Sequence, residues 1–364
     1  MTIVIDLTSL SYHLSGIERY ALCISKELIK CDNENTYILL FRNEVNDEFV
    51  KYIDNKRVFT KILYGNNKLL FNQVILPYHL FRTKANKYLF LAFANPILFK
   101  KKGIISILHD MGAFDFSQYD SILKKIYFRT GCYAAALNSE LLLTVSEFSK
   151  SRICSLLNVE AEKVHVIYSA IADTLTSPVE QEFECIKKIY GLPDKYIMTL
   201  STLEPRKNIK ILLSAFSEIQ DRVDYDLVLV GRKGWQMDDI LTDYKTKNRI
   251  HITGFVNDEY ISSIYKNALC FVFPTLYEGF GLPPVEALAL GVPVISSNAA
   301  SMPEILRNQA VFFENNDKRE LKHLLLHLQE NVSEMPCGLD TFQKENYRFD
   351  TSARKLLSIL ERKK

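Results

Sequence analysis

Two glutamates bracket a glycine- and proline-rich turn at Glu278-Gly279-Phe280-Gly281-Leu282-Pro283-Pro284-Val285-Glu286. Glycines let backbone N–H groups approach a ligand closely. Proline sacrifices no hydrogen bond in the first turn of a helix, so Pro283 or Pro284 predicts a helix start just after the apolar run Cys270–Phe273. The amides of Gly279, Phe280, Gly281 and Leu282, with the positive end of that helix, form a seat for an anion such as phosphate. Glu286, expected in the first turn, can accept both hydroxyls of a ribose. Glu278, on the loop, can hold sugar hydroxyls and stabilise positive charge on a sugar carbon. The plainer alternative is a capped helix whose glutamate serves only the dipole. A lone Gly-x-Gly would carry no more than that; two glutamates around Gly-Phe-Gly-Leu-Pro-Pro carry more.

Further upstream, Arg206 and Lys207 follow the apolar run Tyr196–Leu200. Adjacent cations at a strand end can neutralise a diphosphate leaving group, Arg by gripping two oxygens and Lys as a point charge. An isolated pair of this kind would otherwise be a solvated loop. His109 and Asp110 end another apolar run, and Gly16 lies in the turn after the first. A turn glycine there suits a loop over phosphate or acceptor, or merely a tight turn. His323, His327 and Glu330 share one helical face and could ligate a metal, but Leu321, Leu324, Leu325 and Leu328 are read on the opposite side. The histidine face is therefore expected to be solvated.

The elements that position these residues read as short β-branched strands alternating with helices. Strands are predicted at Ile3–Ile5, Tyr37–Phe41, Ile104–Leu108, Leu141–Val145, Tyr196–Leu200, Asp226–Gly231, Cys270–Phe273, Val292–Ser296 and Val311–Phe313. Near-continuous apolar strands separated by helices imply a parallel sheet covered on both faces. The rhythm pauses over Ser169–Pro178. The chain is thus expected to be α/β, with two Rossmann-like doubly wound parallel-sheet domains facing across a cleft. They should span 1–174 and 175–350, with a helix at about 351–364 returning to the first and a linker near 170–178.

The chain has 364 residues, of which 48% are hydrophobic and 24% charged. That is long enough for two domains, each with its own core, and too apolar for a disordered chain. Seven scattered cysteines without Cys-x-x-Cys exclude a disulfide framework or zinc ribbon. A net charge of +2 gives no reason to expect nucleic acid. No signal-peptide layout opens the sequence and no apolar run reaches about 18 residues, so a cytoplasmic protein is expected. The charge balance hides an asymmetry: residues 51–102 hold eleven Lys or Arg, one acid (Asp54) and ten aromatics. Such a stretch suits an anionic membrane, at the inner face of the plasma membrane, or else is a set of half-buried elements with exposed lysines.

Taken together, Phe273–Glu278, Glu286–Ile295 and Ser301–Ile305 resemble the signature of family-4 retaining glycosyltransferases, also called glycosyl transferases group 1. Leu203-Glu204-Pro205-Arg206-Lys207-Asn208, Gly231-Arg232-Lys233-Gly234-Trp235 and Gly254-Phe255-Val256 resemble the mannosyltransferase-like branch. The N-terminal half is similar only at Ser15–Tyr20, His109-Asp110 and Val145–Lys150. Two departures stand out: one glycine, Gly16, where many relatives have two, and no tryptophan in Arg348–Ala353.

The resemblance implies the glycosyltransferase B fold and hexosyl transfer, with retention, from a nucleotide diphosphate sugar. GDP-mannose is the first expectation, ahead of UDP-hexoses and dTDP-rhamnose. The acceptor is expected to be a hydroxyl of a glycan or of a polyprenyl-diphosphate-linked oligosaccharide in surface polysaccharide synthesis. It further implies that His109 lies near the transferred sugar and that the backbone at Phe255 and Val256 reads the nucleotide base. Arg206, Lys207 and Glu278 join His109 as catalytic residues, while Gly16, Gly279–Leu282 and Glu286 bind the donor. No Asp-x-Asp centre of the metal-dependent transferases is expected, nor a bound cofactor, and turnover should be metal-independent. The alternatives are another sugar-nucleotide enzyme of the fold, such as an epimerase, and a catalytically silent glycan-binding subunit.

Overall fold

A computed structural model describes the chain apart from residues 12–13, 53–55, 117–120, 173–174, 176–180, 233, 235–248 and 363–364. Asp54, Lys233, Trp235 and most of the expected linker thus lie outside the described residues. The chain divides into two units, Met1–Ala170 with Asn346–Lys364, and Ile171–Glu345.

The first unit is built on seven strands: β1 (Thr2–Asp6), β2 (Thr36–Arg42), β3 (Val58–Leu63), β4 (Lys87–Phe90), β5 (Ile104–Ile107), β6 (Leu141–Thr144) and β7 (Val164–Val166). Their order is β3-β2-β1-β4-β5-β6-β7, and every pairing is parallel. Ile5 sits between Leu39 of β2 and Leu89 of β4. All three are fully buried, as expected of a parallel sheet covered on both faces.

The second unit has β8 (Tyr196–Leu200), β9 (Asp226–Val230), β10 (Ile250–Gly254), β11 (Cys270–Phe273), β12 (Val294–Ser297) and β13 (Val311–Phe313). Their order is β10-β9-β8-β11-β12-β13, again all parallel. The two doubly wound parallel sheets expected from the sequence are therefore present. In each, the winding reverses beside the unit's first strand, between β1 and β4 and between β8 and β11. Loops leaving the carboxyl ends of such a strand pair run to opposite faces and open a crevice, where ligands of these folds bind. Arg206 and Lys207 follow β8, and Glu278 follows β11.

Four of the thirteen described strands, β3, β4, β7 and β10, have no range among the predicted ones. β3 and β4 lie inside the basic aromatic stretch, where interleaved lysines break the apolar run. β7, with three residues, is too short to show a period.

Helix termini follow local chemistry. Ser15 caps the Gly16–Cys31 helix in a capping box: its hydroxyl accepts from the Glu18 amide, and the Glu18 carboxylate accepts from the Ser15 amide at 2.7 Å. The Phe349–Glu361 helix buries Ala353, Leu356, Ile359 and Leu360. It is tied to the first unit by Ser352 Oγ, which donates to the Tyr168 carbonyl at 2.9 Å. Among the described residues no helix is long and apolar enough to cross a membrane.

Candidate active site

In the second unit, β8 leads to a single 3-10 turn, Pro205–Lys207, whose central carbonyl docks on the loop after β11. The Arg206 carbonyl accepts from the Leu276 amide at 2.9 Å and from Thr275 Oγ1 at 3.2 Å. This backbone clamp brings two cations, about seventy residues distant in sequence, onto Glu278. Arg206 Nη1 donates to Glu278 Oε2 at 3.1 Å, and Lys207 Nζ donates to Oε1. Thr275 Oγ1 also donates to Oε1 at 3.3 Å, and Ser301 Oγ donates to the Glu278 carbonyl at 3.0 Å.

Glu278 is only 7% exposed. Burial alone would raise its carboxyl, but Arg206 and then Lys207 outweigh it and hold the group below its ordinary range. Lys207 moves down as well, because burial disfavours its ammonium and Arg206 repels it, while Glu278 offsets only part. The two shifts differ in origin because one anion is shared between two cations. Arg206 is further oriented by Glu204 Oε1, which accepts from Nε at 3.2 Å and from Nη2 at 3.1 Å, and by the Tyr277 carbonyl at 3.0 Å. Much of the guanidinium is therefore committed to the protein itself. Lys207, held over the Phe273 ring at 5.6 Å, engages Glu278 with the same ammonium that can also meet an anion.

The helix after the turn spans Leu282–Ala289, and Gly281 is its cap with φ +79°. A Cβ there would lie 2.3 Å from Met302 Cε, so both the backbone conformation and the space call for glycine. Pro283 and Pro284 occupy the second and third helical positions and carry no N–H. The amides presented around this helix start are thus those of residues 279–282. The prolines fall in the first turn as expected, but the helix starts at Leu282, so Glu286 is its fifth residue and lies just past the first turn in which it was expected. Tyr265, fully buried, shares its single hydroxyl proton between Glu286 Oε2 at 3.3 Å and the Pro283 carbonyl at 3.2 Å, holding the carboxylate against the helix start.

Phe255 and Val256 follow β10 through Gly254, whose φ is +71°. Val256 is buried, whereas Phe255 is 45% exposed and stacks under the Arg232 guanidinium at 4.4 Å. Gly231 and Gly234 pack directly on the carbonyls of Ser201 and Leu203, where a Cβ would sit 1.9 and 2.4 Å away. These glycines bring the loop after β9 against the loop after β8.

In the first unit, His109 lies just past β5. Its Nε2 is 3.2 Å from the Leu91 carbonyl, which can only accept, so Nε2 carries the proton and Nδ1 is left as an acceptor. The Tyr20 ring meets the imidazole edge-on at 5.1 Å. Burial drives His109 down to about 4, against the weaker pull of the Leu91 bond and Asp110, so the ring is neutral near pH 7. Gly16 is the first residue of its helix and has no positive φ, and a Cβ added to it would meet no heavy atom within 4 Å. The tight-turn alternative therefore fails there, and open space is what the glycine leaves.

Two metal readings change. The helix carrying His323 ends at Leu326, with His327 as its cap, so His323, His327 and Glu330 do not share one continuous helix. His327 Nδ1 instead meets Glu330 at 3.0 Å, and no group of three metal-ligating side chains occurs among the described residues. An Asp-x-Asp does exist, at Asp224-Tyr225-Asp226, contrary to the expectation. It lies at the start of β9, the opposite end of the strand from the Arg206–Glu278 cluster. Asp226 is held by Arg249 at 2.8 Å and His251 at 2.7 Å, and Asp224 by Lys195.

Residues 182–336 match the family model of glycosyl transferases group 1. The chain is a glycosyltransferase. Over 350 residues the glycosyltransferase is 28% identical to O-antigen chain mannosyltransferase B of Escherichia coli, covering 91% of each chain. It is 27% identical over 246 residues to O-antigen chain mannosyltransferase RfbU of Salmonella typhimurium, covering 67% of this chain and 64% of the relative. Among solved structures it is similar to HepE of Anabaena, crystallised with UDP and glucose, at TM-score 0.75 and 16% identity over 99% of both chains. It is also similar to WaaG, a glycosyltransferase of lipopolysaccharide biosynthesis, at TM-score 0.70 and 11% identity over 99% of this chain and 100% of that one. These likenesses establish the glycosyltransferase B fold. Sequence reasoning missed four residues that shape the glycosyltransferase's site: Glu204, Tyr265, Thr275 and Ser301. Glu204 was visible beside Arg206 in the motif; the other three gain meaning only through contacts distant in sequence.

Proposed function

We propose that this glycosyltransferase moves a hexose, mannose in the first instance, from a nucleotide diphosphate sugar to a hydroxyl of a glycan or lipid-linked glycan during surface polysaccharide synthesis. The observation that carries the reading is the buried Glu278 gripped by Arg206 and Lys207 at the β8–β11 crevice, next to the amides of residues 279–282. The names of the two O-antigen mannosyltransferase relatives support mannose and, with it, GDP-mannose as donor. UDP-hexoses and dTDP-rhamnose come after it.

In this reading Lys207, Arg206 and those amides meet the departing diphosphate, since preorganised charge of this kind is commonly the largest catalytic contribution. Glu286 takes the ribose, the backbone at Phe255 and Val256 takes the base, and His109 and Gly16 serve the sugar and acceptor. Transfer proceeds with retention: the bond from the anomeric carbon to the diphosphate oxygen breaks as the acceptor oxygen bonds to the same face. The acceptor's proton passes to a donor phosphate oxygen. Glu278 supports this indirectly, because a carboxylate held by two cations is a poor covalent nucleophile and a good partner for sugar hydroxyls. The same cations do the work of a divalent metal, so no metal is required. The location we propose is the cytoplasmic face of the plasma membrane, with residues 51–102 toward anionic lipid.

Incubation with GDP-mannose, UDP-glucose and dTDP-rhamnose, with chelator and a lipid-linked acceptor, tests donor and metal together. Transfer from none of them sinks the proposal. An NMR spectrum of the product tests retention: inversion at the anomeric carbon overturns that part. Release of free sugar without any acceptor-dependent transfer would favour a hydrolase or epimerase-like activity instead.

A further inference from the structure

One carboxyl set into the first sheet has no part in the donor crevice. Asp6 is the last residue of β1, and Phe90, its partner across the sheet, is the last of β4. The winding of the first sheet reverses between these two strands. Asp6 therefore stands at the switch point, where loops diverge to opposite faces and leave room for a ligand. Its Oδ1 accepts from the Thr8 amide at 3.0 Å and from Thr8 Oγ1 at 2.7 Å. Among the described residues Oδ2 accepts no hydrogen bond, and no cation pairs with the carboxylate. Burial pushes the group above its ordinary range, and the two Thr8 bonds offset only part.

A half-buried acid with one oxygen bare costs stability that an apolar residue, such as its neighbours Ile5 and Leu7, does not. Acids kept at such a place serve a ligand more often than the fold. The surroundings select which ligand. His109 lies across β4 from Asp6: Leu91, the residue after Phe90, gives its carbonyl to His109 Nε2 at 3.2 Å. That leaves the neutral ring with Nδ1 as an acceptor. The start of the Gly16–Cys31 helix is already closed by its own acid. Glu18, 9% exposed, accepts from the Ser15 amide at 2.7 Å, and the Glu18 amide donates to Ser15 Oγ at 3.4 Å. An unpaired carboxylate and a neutral imidazole both accept hydrogen bonds. They favour a hydroxyl, which donates one, over a phosphate, which does not.

We infer that Asp6 binds the acceptor, with Oδ2 accepting a hydrogen bond from a sugar hydroxyl, so that the first unit receives a neutral saccharide end and not a polyprenyl phosphate. This rests on the sugar-transfer reading and deepens it: the enzyme extends an existing glycan and does not prime a lipid carrier. The hydroxyl held is one that does not react, so the acceptor's proton still passes to a donor phosphate oxygen. A hydroxyl on a carboxylate makes a charge-assisted bond, stronger than one between neutral groups. Thr8 is a positioning residue, whose two donors engage Oδ1 and leave Oδ2 for the ligand.

The test is transfer from GDP-mannose, UDP-glucose or dTDP-rhamnose to two kinds of acceptor. One is a set of octyl glycosides (α-mannoside, β-galactoside and β-N-acetylglucosaminide); the other is undecaprenyl phosphate. The wild type should use at least one glycoside and leave undecaprenyl phosphate untouched. Asp6→Asn should raise the KM for that glycoside about tenfold or more, with the donor KM moved by less than about twofold. Thr8→Val should raise it about threefold. Among monodeoxy forms of the glycoside, one should lose about tenfold in kcat/KM with the wild type, and Asp6→Asn should not discriminate against it. A loss of structure would not single out one hydroxyl. An unchanged glycoside KM in Asp6→Asn overturns this inference and leaves sugar transfer standing. If that variant does not fold, a wild type that tolerates every monodeoxy form overturns it equally. Transfer to undecaprenyl phosphate alone also overturns it. Transfer from none of the donors to either acceptor sinks the sugar-transfer reading, and this inference with it.

Discussion

The carboxyl ends of the two sheets share a topology and differ in chemistry. At the β8–β11 crevice, four charges are packed together: Arg206 and Lys207 against Glu204 and Glu278. At the corresponding end of the first sheet, His109 is a neutral donor to a carbonyl with a tyrosine edge beside it. The winding creates a crevice in both, since that is a property of strand order. What fills it is set by the loop residues. The second unit packs paired charges there; the first sets a neutral imidazole there.

The largest expected effect comes from breaking the charged side. Glu278→Gln or Lys207→Ala should lower kcat by about 100- to 1,000-fold or more, because each removes preorganised charge. Lys207→Ala should also cost about 3–5 kcal/mol of stability in a denaturant melt, since it strips one partner from a buried carboxylate. Full activity in both variants would refute the assignment of this cluster to catalysis.

The neutral side should be less sensitive: His109→Ala is expected to lower kcat by roughly 10- to 100-fold. His109 also makes a pH prediction. Its folded pKa of about 4 lies below its ordinary 6.5, so between these values the unfolded chain binds more protons than the folded one. Stability should therefore rise with pH across that window, and His109→Gln should flatten the rise. Glu278 acts below it, its contribution fading only as pH falls through a pKa beneath the ordinary 4.5.

Gly281→Ala should cost about 1–3 kcal/mol, through a positive φ and a clash with Met302, and is read from the melting temperature. Met302→Ala in the same chain should recover the steric part alone. The smallest effects concern Glu286 and Tyr265. Glu286→Ala should raise the donor KM about tenfold with kcat little changed, and Tyr265→Phe several-fold, as expected for loss of one hydrogen bond to a charged group. A lowered melting temperature with an unchanged donor KM in Tyr265→Phe would mean that Tyr265 supports the fold and not the carboxylate.

Much of this was legible in the chain. β1, β2, β5, β6, β8, β9, β11, β12 and β13 announce themselves as apolar runs, because strands buried on both faces have no polar side to show. β3 and β4 do not, since their lysines and aromatics mimic a surface segment. The Gly-Phe-Gly-Leu-Pro-Pro turn was readable down to its prolines, yet Glu286 fell just past the first turn in which it was expected. The helix begins one or two residues before the prolines, behind Gly281 in its left-handed conformation. The Asp-x-Asp at Asp224 was overlooked as a motif, and its position at the start of a strand is what separates it from the crevice.

Composition and spacing by themselves determined the parallel α/β architecture, the glycine- and proline-rich turn and the cations, because periodicity and backbone permissiveness are local properties. Only the tertiary structure decided how those cations are engaged. Whether Arg206 faces solvent or Glu278 depends on a backbone clamp between loops some seventy residues apart, and the resulting shifts in Glu278, Lys207 and His109 come from burial. Burial and long-range pairing are properties of the packed chain, so no stretch of sequence carries them alone.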